Sequence, residues 1–305
     1  MIGVAGAGKI GAESALEIAS MGLDDISLVD IVHGLAEGEA LDISHRLSDA
    51  GVDVDVTGSE DFSKLKGADL VVIAAGLGRK PGMTRMDLLS KNAGIISSVT
   101  KEVVKHAPDS VLLMMTNPMD AMTYIAFKTS GFPRARVVGQ GGLLDNSRFK
   151  YVLAKKLGVS RGSITSLVLG EHGENMIPLA SHTYIAGVPL TSLLSEVEIQ
   201  QAIDDTRKVA ADVITKKGAT VFAPGRVVAR MARAIIDDTK EVVPASAYLE
   251  GEYGLSGICI GVPLRLGRSG IEKIYELKLS DKERDWFNRG ADTLKEALAT
   301  LSSMQ

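Results

Sequence analysis

The sequence holds one cysteine, Cys259, among 305 residues, which excludes an internal disulfide and any metal site assembled from several thiolates. Its setting in the apolar run ICIGV at 258–262 suits core packing. Long apolar runs are missing as well. LVVIAAGLG at 70–78 and VLLMM at 111–115 stop far short of the roughly 18–20 residues that cross a bilayer. The N-terminal MIGVAGAGKIGAESALEIAS has neither a charged lead nor a cleavage-site pattern, so a cytoplasmic location without a membrane partner is expected. Charge of one sign is also scarce, with 34 basic against 38 acidic residues and a net charge of −4. No global field draws such a chain towards nucleic acid. Internal repeats and low-complexity tracts are lacking. What is present is 45% hydrophobic and 24% charged residues, enough for a large core and, at this length, about two domains.

Between residues 2 and 139 short β-rich runs alternate with helical patterns: IGVA, ISLV at 26–29, VDVDV at 52–56, LVVIAA at 70–75, VLLMM at 111–115 and VVG at 137–139. Continuous apolar runs fit strands covered on both faces, as in a parallel sheet flanked by helices. The expected fold is α/β, a doubly wound parallel Rossmann sheet over residues 1–140, followed over 141–305 by an α+β domain for substrate and catalysis. The second half shows a helix around LLDNSRFKYVLAKKLG and a strand ITSLVLG at 164–170. Two long helices follow within 195–238, then strands near 241–248, 258–266 and 271–276. Ser280, with Glu283 three residues on, reads as the N-cap of a last helix.

GAGKIG at 6–11 puts Gly6, Gly8 and Gly11 in the G-x-G-x-x-G pattern, directly after a strand and at the mouth of a helix. A tight turn, close approach to a pyrophosphate and close helix–strand packing each require one of these glycines. The helix start offers free N–H groups to phosphate, which also brings in Lys9 and Ile10. Asp30 ends the second strand 19 residues later, where a carboxylate accepts both ribose hydroxyls and repels a 2′-phosphate. NAD is therefore the expected cofactor, in preference to NADP.

Four further segments stand in order along the chain: GLGRKPGMTRMDLL at 76–89, MTNPMD at 115–120, GGLLDNSRFK at 141–150 and GEHGEN at 170–175. With GAGKIG and the strand-end acid, they resemble the lactate/malate dehydrogenase family over nearly the whole chain. RKPGMTR is most similar to the malate dehydrogenases of the lactate-dehydrogenase-like type. The resemblance implies reversible oxidation of (S)-malate to oxaloacetate, with lactate and pyruvate as the alternative pair.

On this resemblance His172 is the general acid/base, which suits an imidazole titrating near neutrality, and Asp145 is the carboxylate that orients it. Arg148 would grip the substrate's C1 carboxylate with a two-pronged hydrogen bond. Arg85 would polarise the reacting carbonyl from a closing lid, and Arg79 would meet the second carboxylate of a dicarboxylate. Asn117 would contact substrate or nicotinamide. Thr116 and Asn92 would lie by the cofactor and Thr220 by the substrate. Asn146 departs from the family's commoner small residue between Asp145 and Arg148. His33, His45, His106 and His182 lack a comparable motif. The family usually forms homodimers or homotetramers, and LAEGEALDISHRL at 35–47 is the candidate interface helix.

Overall fold

The computed structural model describes residues 1–78 and 82–303, without the side chains of residues 85, 302 and 303. Its first half builds a six-stranded parallel sheet from β1 (Ile2–Ala5), β2 (Ile26–Val29), β3 (Val56–Ser59), β4 (Leu70–Ile73), β5 (Val111–Met114) and β6 (Val137–Gly139), in the order β3-β2-β1-β4-β5-β6. Every residue of β1, β2, β4 and β5 is buried, as continuous apolar strands between two helical layers must be. The intervening helices are α1 (Lys9–Ala19), α2 (Leu35–Ala50), α3 (Arg85–His106) and α4 (Met119–Ser130). The strand order reverses between β1 and β4, and the crevice outside the carboxyl ends at such a reversal is where ligands of doubly wound sheets bind.

The second half begins with α5 (Gly141–Leu157). It continues through the short strands β7 (Ile164–Thr165), β8 (Val168–Gly170), β9 (Met176–Pro178), β10 (Tyr184–Ile185) and β11 (Val188–Pro189). Next come α6 (Glu196–Lys217), α7 (Phe222–Ile236), β12 (Val242–Glu250), β13 (Ser256–Gly267), β14 (Gly270–Ile274) and α8 (Asp281–Ser303). The two halves share one sheet. β12 lies antiparallel to β6 with Ser246 opposite Gly139, and β13, β8 and β9 follow. A smaller sheet, β11-β10-β7, covers a second core around Phe149, Leu153 and Ile203.

Two expectations about strands need correction. Only Val56 of VDVDV enters a strand. Gly51 is left-handed (φ 66°), and the Val52 N–H returns to Leu47 O at 3.0 Å, so Val52 still closes α2, as a left-handed glycine cap requires, and Asp55 is the first of the stretch to bond to the β2 side, its carbonyl accepting the Ile26 N–H at 2.8 Å. ITSLVLG is not one strand but two, β7 and β8, in different sheets. Between them the buried Ser166 turns its hydroxyl to Asn146 Oδ1 at 2.7 Å. The cap at Ser280 forms as expected, with Glu283 accepting the Ser280 N–H at 2.9 Å.

Candidate functional site

The glycine turn after β1 has the shape its pattern requires. Gly6 sits at φ +107°, where a Cβ would lie 2.6 Å from Ala75 N, and a Cβ on Gly11 would lie 1.8 Å from Gly6 O. Gly8 faces open space. The first bond into α1 runs from Ala12 N–H to Gly8 O at 2.9 Å. The N–H groups of Lys9, Ile10 and Gly11 therefore have no partner inside the helix, and the first turn carries no acidic residue. Asp30 spans the turn: Oδ2 accepts Ala7 N–H at 2.7 Å and Oδ1 accepts Val32 N–H at 2.9 Å. An open glycine, free amides and a held carboxylate fit a dinucleotide's diphosphate and adenosine ribose.

Thr116 and Asn92 serve the backbone along the same edge. Thr116 Oγ1 donates to Ala75 O at 2.6 Å. Asn92, fully buried, accepts Leu77 N–H at 2.8 Å and donates to Leu77 O at 3.1 Å and Asn117 O at 2.7 Å. These two side chains hold the ends of β4 and β5 together, while Asn117 is exposed at the carboxyl end of the sheet.

His172 follows β8 and meets α5 at its first turn. A Cβ on Gly141 would already sit 3.3 Å from His172 Cβ, so glycine there lets helix and imidazole approach. One helical turn on, Asp145 Oδ2 lies 2.6 Å from His172 Nδ1, and its Oδ1 accepts from Arg148 Nη1 at 2.8 Å. The side chains of Asp145, His172 and Arg148 are 3%, 11% and 14% exposed, so the charges interact with little screening. Burial acts most strongly on His172 and disfavours its proton. The charge and hydrogen bond of Asp145, together with the charge of Asp120, outweigh burial and the opposing Arg148, so the imidazole pKa ends above its ordinary value. With Nδ1 committed to Asp145, Nε2 is the nitrogen left for a substrate proton. Asn146, the departure from the family's commoner small residue, is buried and anchors α5 by accepting from Ser166.

Thr220, between α6 and α7, is half-buried, and its Oγ1 has no hydrogen-bond partner among the described residues. Arg79 lies outside the described residues. Arg85 opens α3 behind a capping box of Thr84 and Asp87, and its side chain is outside the description. None of the other histidines joins the cluster. His33 pairs with Glu60 at 2.6 Å on the surface, His45 is exposed, His106 lies 3.6 Å from Glu102 and His182 contacts Ser181 at 2.8 Å.

Sequence reading missed Asp120 and Ser246. Asp120 was visible as the last residue of MTNPMD, but nothing local announces its partners. They are the His172 N–H, 52 residues away, at 2.7 Å, and the Ser246 hydroxyl, 126 residues away, at 2.6 Å.

Residues 1–139 match the family model for the lactate/malate dehydrogenase NAD binding domain, and residues 143–305 match that for the lactate/malate dehydrogenase alpha/beta C-terminal domain. The chain is 45% identical over 303 residues to a malate dehydrogenase of Thermoproteus tenax, covering 99% of this chain and 98% of that one. It also resembles the solved malate dehydrogenase of Archaeoglobus fulgidus in complex with NADH, with a TM-score of 0.91, 41% identity and 99% of each chain covered. The Cryptosporidium parvum lactate dehydrogenase solved with lactic acid and cofactor is similar in shape, with a TM-score of 0.95, 35% identity, and 99% of this chain and 97% of that one covered.

Proposed function

The chain belongs to the lactate/malate dehydrogenase family, and from that premise we propose how its residues divide the work of catalysis. The reaction is the reversible NAD-dependent oxidation of (S)-malate to oxaloacetate. Bound NAD supplies the nicotinamide carbon that accepts or returns hydride. The backbone amides of Gly8, Lys9, Ile10 and Gly11 hold its diphosphate, Asp30 its adenosine ribose, and the edge carrying Thr116 and Asn117 its nicotinamide end.

His172 takes the C2 hydroxyl proton on Nε2 as malate is oxidised and returns it as oxaloacetate is reduced. Asp145, at 2.6 Å from Nδ1, fixes the tautomer and stabilises the imidazolium as it forms. Arg148 would orient the C1 carboxylate and so present C2 for reaction in one geometry. Arg85 stabilises charge developing on the carbonyl oxygen, and Thr220 offers its unpartnered hydroxyl to the substrate. The observation that carries this reading is the buried His172–Asp145–Arg148 cluster. Its test is NADH consumption with oxaloacetate and with pyruvate as separate substrates. Turnover is expected with oxaloacetate, and none with any 2-keto acid would end the reading.

Arg79 is assigned the far carboxylate. Pyruvate carries a methyl group there and would leave a guanidinium unpaired in a closed site. A charged hydrogen bond contributes roughly 1.5–3 kcal/mol, which corresponds to about ten- to hundredfold preference for the dicarboxylate. Arg79→Gln should shift the oxaloacetate/pyruvate ratio of kcat/KM towards pyruvate by about that factor, and an unmoved ratio removes Arg79 from selectivity.

Self-association as a homodimer or homotetramer belongs to the same proposal, with α2 in the interface. Leu41 on this helix is 61% exposed and Phe222, opening α7, is 68% exposed, apolar surface that a second copy would cover. Light scattering should give a mass above one chain and Leu41→Asp should lower it; a monomer at the outset would end this part. A cytoplasmic setting suits the unpaired thiol of Cys259.

A further inference from the structure

We propose that Asp120 is a positioning residue for the proton-transfer step, clamping the backbone of His172 against β12 and setting a second fixed negative charge beside the imidazole. The inference rests on the reading of His172 given above. Asp120 lies in the first turn of α4, three residues after Asn117 on the cofactor-side edge, and is 2% exposed. Oδ2 accepts the His172 N–H at 2.7 Å and Oδ1 accepts the Ser246 hydroxyl at 2.6 Å. One carboxylate thus links α4, the turn that carries His172, and β12, close to where β12 bridges β6.

A neutral side chain could make both bonds, so the charge requires a separate explanation. The groups acting on His172 are Asp145 and Arg148 from α5 and Asp120 from α4. Those acting on Asp120 are Ser246, His172 and the neighbouring Glu171, and Cys259 on β13 feels the Asp120 charge in turn. Burial is the largest influence on Asp120 and raises its carboxyl from 3.8 to about 6, against the pull of Ser246 and His172. A carboxyl group that holds its proton more tightly folded than unfolded removes stability as pH climbs through that window. At neutral pH the ionised group therefore works against folding, and it favours the protonated imidazole next to it. A group with only a structural task would be better served by an amide.

Asp120→Asn separates the two roles, because Oδ1 can still accept from His172 N–H while Nδ2 donates to the Ser246 oxygen. Without the charge, the imidazole gives up its proton at lower pH. The alkaline limb of oxaloacetate reduction and the acid limb of malate oxidation should both move down. The ratio of reductive kcat/KM at about pH 7 to that at about pH 9 should then rise about tenfold, with NADH affinity and melting temperature at neutral pH not reduced. Ser246→Ala withdraws one donor from the carboxylate and should move the same limbs in the same direction by a smaller factor, which keeps the test open if the first variant does not fold. Limbs that stay in place in the folded variants overturn the inference. Its failure is distinguishable from failure of the reading beneath it: unmoved limbs beside an inactive His172→Asn refute only the role of Asp120, whereas an active His172→Asn refutes the acid/base assignment itself.

Discussion

His172→Asn is expected to lower kcat about a thousandfold in both directions, within the range that a positioned acid/base contributes, while NADH affinity changes little. Asn keeps an amide near the position of Nδ1 that can still donate to Asp145, so the buried carboxylate is not stranded. What disappears is a nitrogen able to take and return a proton near neutrality. The glycine turn and Asp30 do not touch His172, so fluorescence titration with NADH should return nearly the parent affinity while steady-state turnover collapses. A variant with parental turnover would show that the proton goes elsewhere.

Arg148→Lys should cost about a hundred- to thousandfold in kcat/KM for oxaloacetate, equivalent to about 3–4 kcal/mol of transition-state stabilisation. Lysine preserves the positive charge next to Asp145 and so avoids stranding an acid whose side chain is 3% exposed. An ammonium is a point charge, however, and cannot offer a carboxylate two parallel hydrogen bonds. Loss of orientation should appear in kcat as well as KM, because a substrate held at one point samples geometries in which C2 is turned from the nicotinamide. An effect confined to KM would mean that Arg148 attracts the substrate without aligning it.

Legibility in the sequence followed the range of the interactions. The Gly6–Gly11 turn is read from six consecutive residues, because each steric demand is met within the turn or against the next strand. Asp145 and Arg148 lie three apart on a helix, so their pairing at 2.8 Å is a local consequence of helical geometry. His172 and Asp145, 27 residues apart, were joined only through resemblance. Asp120 and Ser246 were beyond reach, since a strand packed 126 residues later supplies the hydroxyl. VDVDV misled for the converse reason: its alternation imitates a strand from the first residue, but the left-handed Gly51 commits Val52 to finishing α2, so pairing starts only near the end of the run. Arg79, proposed to meet the far carboxylate, lies outside the described residues.

The bridge between Ser246 and Gly139 extends one hydrogen-bonded sheet from the nucleotide-binding strands into the strands of the second half. A second fastening lies on the helical side, where a Cβ on Gly225 of α7 would come within 2.5 Å of Glu13 Cγ on α1, and Arg226 reaches Glu17 at 3.4 Å. Backbone pairing on one side and interlocked helices on the other therefore fasten the two halves at two separate places. The nucleotide half is consequently no detachable cassette: severed near residue 140, it would bare both an unpaired strand edge and the face of α1 that α7 now shields.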